Sequence, residues 1–296
     1  MSSFSQSIRR KLIGPQSPVL KSSFASSLGE FDVSSQNHPL IKKLALLRRS
    51  AERRFQSNQV FVVNGNFLLA QTKRGQKFSQ ILVPGENQYW SRSGLFPEDS
   101  EIVKVPRKIL QYLRFEREFH VKSEDDGDLV CGLTEMPKIA EVDEIKTGNY
   151  LVLDSVQNPR NVGLLVDYAA KSKKFDGIIP LGSTCDFYDF KTIDASLGAV
   201  LRVNERFTLF KRKMDRMEFF KFLAVNDYLP VVADDQGVKV EHVDFKKSKA
   251  LFVVVGNERN EETINQFSTR ISIPMTKSLN TAAAGSILIN EISRFI

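Results

Sequence analysis

The sequence predicts an α/β protein of two units: a small α/β domain, then a larger one whose parallel sheet carries helices on both faces. Three observations lead there. The chain has 296 residues, enough for two cores. Short apolar runs alternate with helical periodicity along most of its length. The strand candidates of the second half, YLVLDSV, GIIPLG, AVLRVN, LPVVADD and ALFVVVG, are apolar throughout rather than alternating. That is the pattern of strands buried on both faces of a parallel sheet.

Taken in order, residues 1–35 form a leader. Its first 29 residues hold nine serines and four bases (Arg9, Arg10, Lys11, Lys21), and no acid precedes Glu30. A Ser-rich, Arg-containing, acid-poor leader resembles a mitochondrial transit peptide, the plainer alternative being a disordered terminus. The mitochondrial matrix is therefore the expected location, with the cytoplasm as alternative. The first domain spans 36–137 and opens on HPLIKKLALLRRSAERRF, one amphipathic helix with Ile41, Leu44, Leu47 and Ala51 on a stripe. Lys42, Lys43, Arg48, Arg49, Arg53 and Arg54 fill its other faces against one acid, Glu52. Such a face suits a polyanion, RNA above all, though a merely solvated face has the same composition. Strand QVFVVNG, helix NFLLAQT, strand SQILVPG, a Pro/Arg-rich stretch, helix RKILQYLRF and strand DLVCGLTEMP complete this domain. An acidic linker, 138–147, leads to the second domain, 148–296.

Bulk composition excludes more than it selects. No apolar run approaches the ~20 residues of a membrane span, so no membrane partner is expected. The net charge of +7 and pI of about 9.3 fit a polyanionic partner without demanding one. Two cysteines, Cys131 and Cys185, with no CxxC and three scattered histidines, exclude a disulfide framework and a metal site. Both read as small buried residues.

Four stretches of the second domain carry chemistry. The first is Asn158-Pro159-Arg160-Asn161-Val162-Gly163, a turn between a strand and an apolar helix. The second is Ala195-Ser196-Leu197-Gly198-Ala199. The third is Gly256-Asn257-Glu258 with Glu261, after a strand. The fourth is Ile273-Pro274-Met275 followed by Ser278-Leu279-Asn280 at a helix start. Singly each is weak, since glycine after a strand is common punctuation and Ser or Asn caps helices. In this order they resemble the motifs of the SpoU/TrmH branch of the SPOUT superfamily, RNA 2'-O-ribose methyltransferases using S-adenosylmethionine. The first domain resembles that family's RNA-binding domain.

The resemblance implies a C-terminal trefoil knot, an exception to unknotted chains, and a dimer, either a homodimer or a heterodimer with a related methyltransferase. It implies a cofactor pocket lined by Gly256, Ile273, Met275 and Leu279. It gives catalytic or substrate-ordering roles to Asn161, Glu258, Ser278 and Asn280, and an RNA contact to Arg160. Where the family places an arginine, six residues after Asn161, this chain has Asp167, in a run of Val, Leu and Ala where a carboxylate reads as buried. A carboxylate repels the phosphate that a guanidinium fork would grip. Asp194, Glu261 and a loop shortened to Thr276-Lys277 depart from the family pattern too. The implied function is an RNA-binding factor in mitochondrial ribosomal RNA maturation or large-subunit assembly, impaired in catalysis, with S-adenosylmethionine as its cofactor if it keeps one. The alternative is an active ribosomal RNA 2'-O-methyltransferase, with Asp167 as a base toward the ribose hydroxyl in one version.

Overall fold

The computed structural model describes residues 32–115, 125–202, 207–211, 215–256, 267–272 and 279–296. Two sheets organise them. In the first unit, α1 (Pro39–Arg49) and α2 (Ala51–Ser57) precede β1 (Gln59–Val63), α3 (Gly65–Thr72), β2 (Gln80–Pro84), α4 (Gln88–Ser91), β3 (Glu101–Val105), α5 (Arg107–Phe115) and β4 (Cys131–Glu135). The sheet order is β1-β4-β2-β3. Strand β3 runs parallel to β2, and β4 runs antiparallel to both β1 and β2.

The expected single N-terminal helix is two. Ser50 is extended at φ −121°, its N–H closing α1 on the Leu46 carbonyl and its Oγ accepting from Arg53 N at 3.3 Å. Serine competes for backbone groups and so starts helices better than it continues them. Ile41, Leu44 and Leu47 keep the buried stripe, while Ala51 opens a new helix with its own direction. Strand β3 lay hidden in the Pro/Arg-rich stretch: EIVKV alternates exposed and buried residues, as an edge strand does.

The second unit runs β5 (Gly148–Asp154), α6 (Pro159–Ser172), β6 (Gly177–Leu181), α7 (Phe190–Ala195), β7 (Thr208–Leu209), α8 (Arg216–Val225), β8 (Leu229–Lys239), β9 (Ala250–Gly256), β10 (Thr269–Ser272) and α9 (Thr281–Ile292). Every neighbouring pair in the order β10-β8-β9-β5-β6-β7 is parallel. One expected strand does not form among the described residues. AVLRVN contributes a 3-10 turn at Ala199–Leu201, and the sheet is extended instead by β7. Leu197 and Gly198 take left-handed φ values of +49° and +74°, which turns the chain away from any strand course. The apolar side chains then bury against α6 rather than joining a ladder, a distinction that a short apolar run cannot carry. The segments of the implied knot, 257–266 and 273–278, lie outside the described residues.

The connector between the sheets is docked. Ala140 bridges Phe210 in parallel, with Ala140 N to Leu209 O at 2.9 Å and Lys211 N to Ala140 O at 2.8 Å. Val60, Val62 and Leu68 of the first unit belong to one continuous apolar cluster with Val162, Ile193 and Val200 of the second. No helix among the described residues is long and apolar enough to cross a membrane.

Candidate functional site

A parallel sheet offers its ligand crevice at the carboxyl ends of adjacent strands whose chains then leave in opposite directions. Here those strands are β5 and β9. After β5 the chain crosses to β6 on one side, and after β9 it goes to β10 on the other. Their last residues, Asp154 and Gly256, are register partners. Asp154 is buried, its Oδ2 2.6 Å from Arg216 Nε and its Oδ1 accepting from Ser155 Oγ at 3.1 Å. Neither Asp154 nor Arg216 was singled out from the sequence. The available signal was a carboxylate closing an otherwise apolar strand, since a buried acid needs a partner. A Cβ on Gly256 would run into the Asp154 backbone carbonyl, so strand packing alone already requires glycine there.

Helix α6 leaves this crevice. Asn158 caps it, Oδ1 accepting from Arg160 N at 2.9 Å, with Pro159 in its first turn. Asn161 is half-buried in that turn and Arg160 is exposed. A Cβ on Gly163 would stand 2.6 Å from Thr192 O and 2.7 Å from Ala195 Cβ, so the motif glycine serves the close approach of α6 to α7. Asp167 departs from expectation. It sits at the edge of the helix, 14 % exposed, with Lys171 Nζ 2.6 Å from its Oδ2 one turn on. Its Oδ1 is enclosed without a hydrogen-bond partner. Spacing puts Arg160, Leu164, Asp167 and Lys171 on one face of α6. Leu164 and Tyr168 are exposed, as is Ile287 on α9, the helix that packs against α6 through Gly285 and Leu165.

At the start of α9, Asn280 spends its Oδ1 on Ala282 N at 2.9 Å, which makes it a helix cap, and Leu279 beside it is exposed. Glu258, Glu261, Ile273, Met275, Thr276, Lys277 and Ser278 lie outside the described residues. Asp194 is exposed at the end of α7. The middle motif forms the seam between the units: Gln71 Nε2 donates to Leu197 O at 3.3 Å, and Phe67 and Gln71 crowd Gly198.

The basic face of the first unit needs one correction. Lys42, Lys43, Arg49 and Arg53 are exposed. Arg48 is half-buried, its guanidinium 4.6 Å from the centre of the Phe190 ring. Arg54 is not RNA-facing. It is 3 % exposed, with Nε and Nη2 donating to Asp186 Oδ2 at 2.9 and 2.6 Å and Nη1 donating to the carbonyls of Leu47 and Arg48. The break at Ser50 turns α2 so that this arginine faces the second unit. Cys131 is buried, Cys185 half-buried, and both thiols are pushed up by burial, to about 12 and about 11. No group of side chains able to hold a metal ion occurs among the described residues.

Residues 148–290 match the model of the SpoU rRNA Methylase family. No curated protein matches the chain. Similar folds occur among solved structures. The SpoU methyltransferase AviRb from Streptomyces viridochromogenes, in complex with AdoMet, aligns with a TM-score of 0.69 at 20% identity, over 87% of this chain and 97% of that one. An rRNA methyltransferase from Sinorhizobium meliloti aligns at 0.66 and 20% identity, over 88% and 96%. An RNA 2'-O ribose methyltransferase aligns at 0.65 and 18%, over 89% and 98%.

Proposed function

Because residues 148–290 form a domain of the SpoU methylase family, we propose that this protein binds ribosomal RNA and is impaired in 2'-O-ribose methyl transfer. One observation carries the reading. On the helix leaving the crevice, Asp167 holds a carboxylate already claimed by Lys171 at 2.6 Å. Transfer to a ribose hydroxyl needs the phosphate-bearing strand held in place, and a carboxylate at this point repels it. RNA would be met instead by the exposed Lys42, Lys43, Arg49 and Arg53 of the first unit. The acid-poor leader supports a role in mitochondrial ribosomal RNA maturation or large-subunit assembly. The exposed Leu164, Tyr168 and Ile287 support a dimer through α6 and α9, with a second copy or a related methyltransferase.

A second reading, an active methyltransferase, is favoured by the half-buried Gly256 at the crevice. Without a side chain there, backbone groups stay open to a cofactor's adenine edge, which fits S-adenosylmethionine. When bound, that group supplies a sulfonium methyl. Gly256 and Leu279 would hold it, with Ile273 and Met275.

The test is calorimetry with S-adenosylmethionine, followed by mapping of 2'-O-methyl groups in ribosomal RNA incubated with the purified protein. The expected result is RNA binding without site-specific methylation. A methyl group placed at one nucleotide would reverse the order of the two readings.

A further inference from the structure

We propose that Arg74 and Arg202, one from each unit, form a two-armed grip for an RNA phosphodiester at the seam between the sheets. The inference rests on the RNA-binding reading above and adds a contact far along the chain from the basic helix α1.

The seam holds both arginines in place. Arg202 folds back over the left-handed turn, Nε donating to Gly198 O at 3.3 Å and Nη2 to Leu197 O at 3.5 Å. Its Nη1 donors have no protein partner among the described residues. Arg74 follows α3 in a tight turn, its N–H on Gln71 O, and Gln71 in turn donates to Leu197 O. The exposed Arg74 side chain has no protein partner either. Gln71, which carries the Arg74 turn, and Arg202 both donate to the Leu197 carbonyl, so the two arginines flank one contact between the units.

Charge makes the pair unusual. Burial, then the Arg74 charge, holds the Arg202 guanidinium below its ordinary range, and Asp167 offsets this only in part. Asp167 is the carboxylate of this cluster, and Lys171 already takes its Oδ2. Two guanidiniums held together repel each other, and an anion between them relieves that repulsion. A guanidinium presents a flat fork that matches two phosphate oxygens. A phosphate here would touch both units at once.

The probe is a mixed-sequence single-stranded oligoribonucleotide, with binding followed by anisotropy between ~50 and ~200 mM salt. Each lost phosphate contact should lower the salt slope by about 0.7. Arg74→Ala and Arg202→Ala should each weaken binding about fivefold, on the scale of one charge-assisted contact. Arg74 is exposed, so its variant reports on the grip even if Arg202→Ala loosens the seam, which a thermal melt would reveal. Wild-type binding with an unchanged slope in Arg74→Ala and in the double variant would overturn the grip and leave the RNA reading intact, especially if Lys42→Ala/Lys43→Ala still weakens binding. A wild-type protein that binds no RNA would sink both.

Discussion

Replacing Arg54 by alanine should loosen the two units from each other. Arg54 is 3 % exposed and Asp186 17 %. Four hydrogen bonds leave the guanidinium, two to Asp186 and two to carbonyls at the end of α1. Removing one partner of a buried pair typically costs 3–5 kcal/mol, because the other charge stays behind without compensation. Asp186 keeps some contact with water, and so do carbonyls at a helix end, so the expected loss is about 2–4 kcal/mol. Against a total stability of roughly 5–15 kcal/mol this is a large fraction. Urea unfolding offers a local readout, since the one tryptophan, Trp90, lies in the first unit. Wild-type tryptophan fluorescence and far-ultraviolet dichroism should report one coincident transition, as one apolar cluster joins both sheets. In Arg54→Ala the two signals should separate, with the tryptophan midpoint moving first. The companion Arg54→Met/Asp186→Leu should lose less than the single variant, because no charge is stranded. A loss below about 1 kcal/mol in Arg54→Ala, or a double variant as damaged as the single one, would refute the reasoning.

Three more outcomes follow from the same geometry. Gly163→Ala should destabilise the protein by about 1–3 kcal/mol in urea, since its Cβ has no room beside Thr192 O and Ala195; a neutral effect would mean α6 shifts freely on α7. The raised Cys131 thiol stays protonated and enclosed at neutral pH, so native protein should resist alkylation there. Because its folded value, about 12, lies above the ordinary thiol value of 9.0, the thiol's contribution is whole below 9 and falls as pH rises from 9 toward 12. Urea midpoints measured across that window should decline, and a Cys131→Ala variant should decline less. Leu164→Glu with Ile287→Glu should leave a monomer by light scattering if α6 and α9 form the dimer contact, with little change in the thermal midpoint of the isolated chain.

Much of the fold could be read from the chain because burial was written in its periodicity. Strands β5, β6 and β9 stand on the apolar runs that announced them, and β8 starts on one but runs on through polar residues to Lys239. The failures share a cause. AVLRVN is as apolar as its neighbours, but the turn before it, with Leu197 at φ +49°, sends Ala199–Leu201 against α6 as a 3-10 turn. Nothing in one sequence marks a leucine as left-handed. Strand β3 was missed because its EIVKV has only edge-strand alternation. In the site, Asn280 takes the plainer of the two roles its sequence allowed, a helix cap, and Asn158, quoted only as part of a motif, caps α6. Arg54 was misread because its partner, Asp186, is 132 residues away, and composition cannot tell a solvated arginine from a paired one. Asp154 and Arg216 were missed for the same reason.

The motif glycines show how much of a family pattern the fold alone requires. Gly163 is demanded by α7, Gly198 by α3 and a left-handed turn, and Gly256 by the carbonyl of Asp154. Each would be required for this fold to close even if no methyl group were ever moved. Their presence therefore argues for the architecture and leaves the reaction open. Asp167 is a different kind of residue. It stands at a helix edge with one oxygen unpartnered and the other on a flexible lysine. A charge at this point weighs on whether a phosphate can lie beside α6, while Arg74 and Arg202 offer one a place at the seam nearby. If those two arginines hold a phosphate, the ion pair that locks the junction, Arg54 with Asp186, matters for RNA binding as well as for stability.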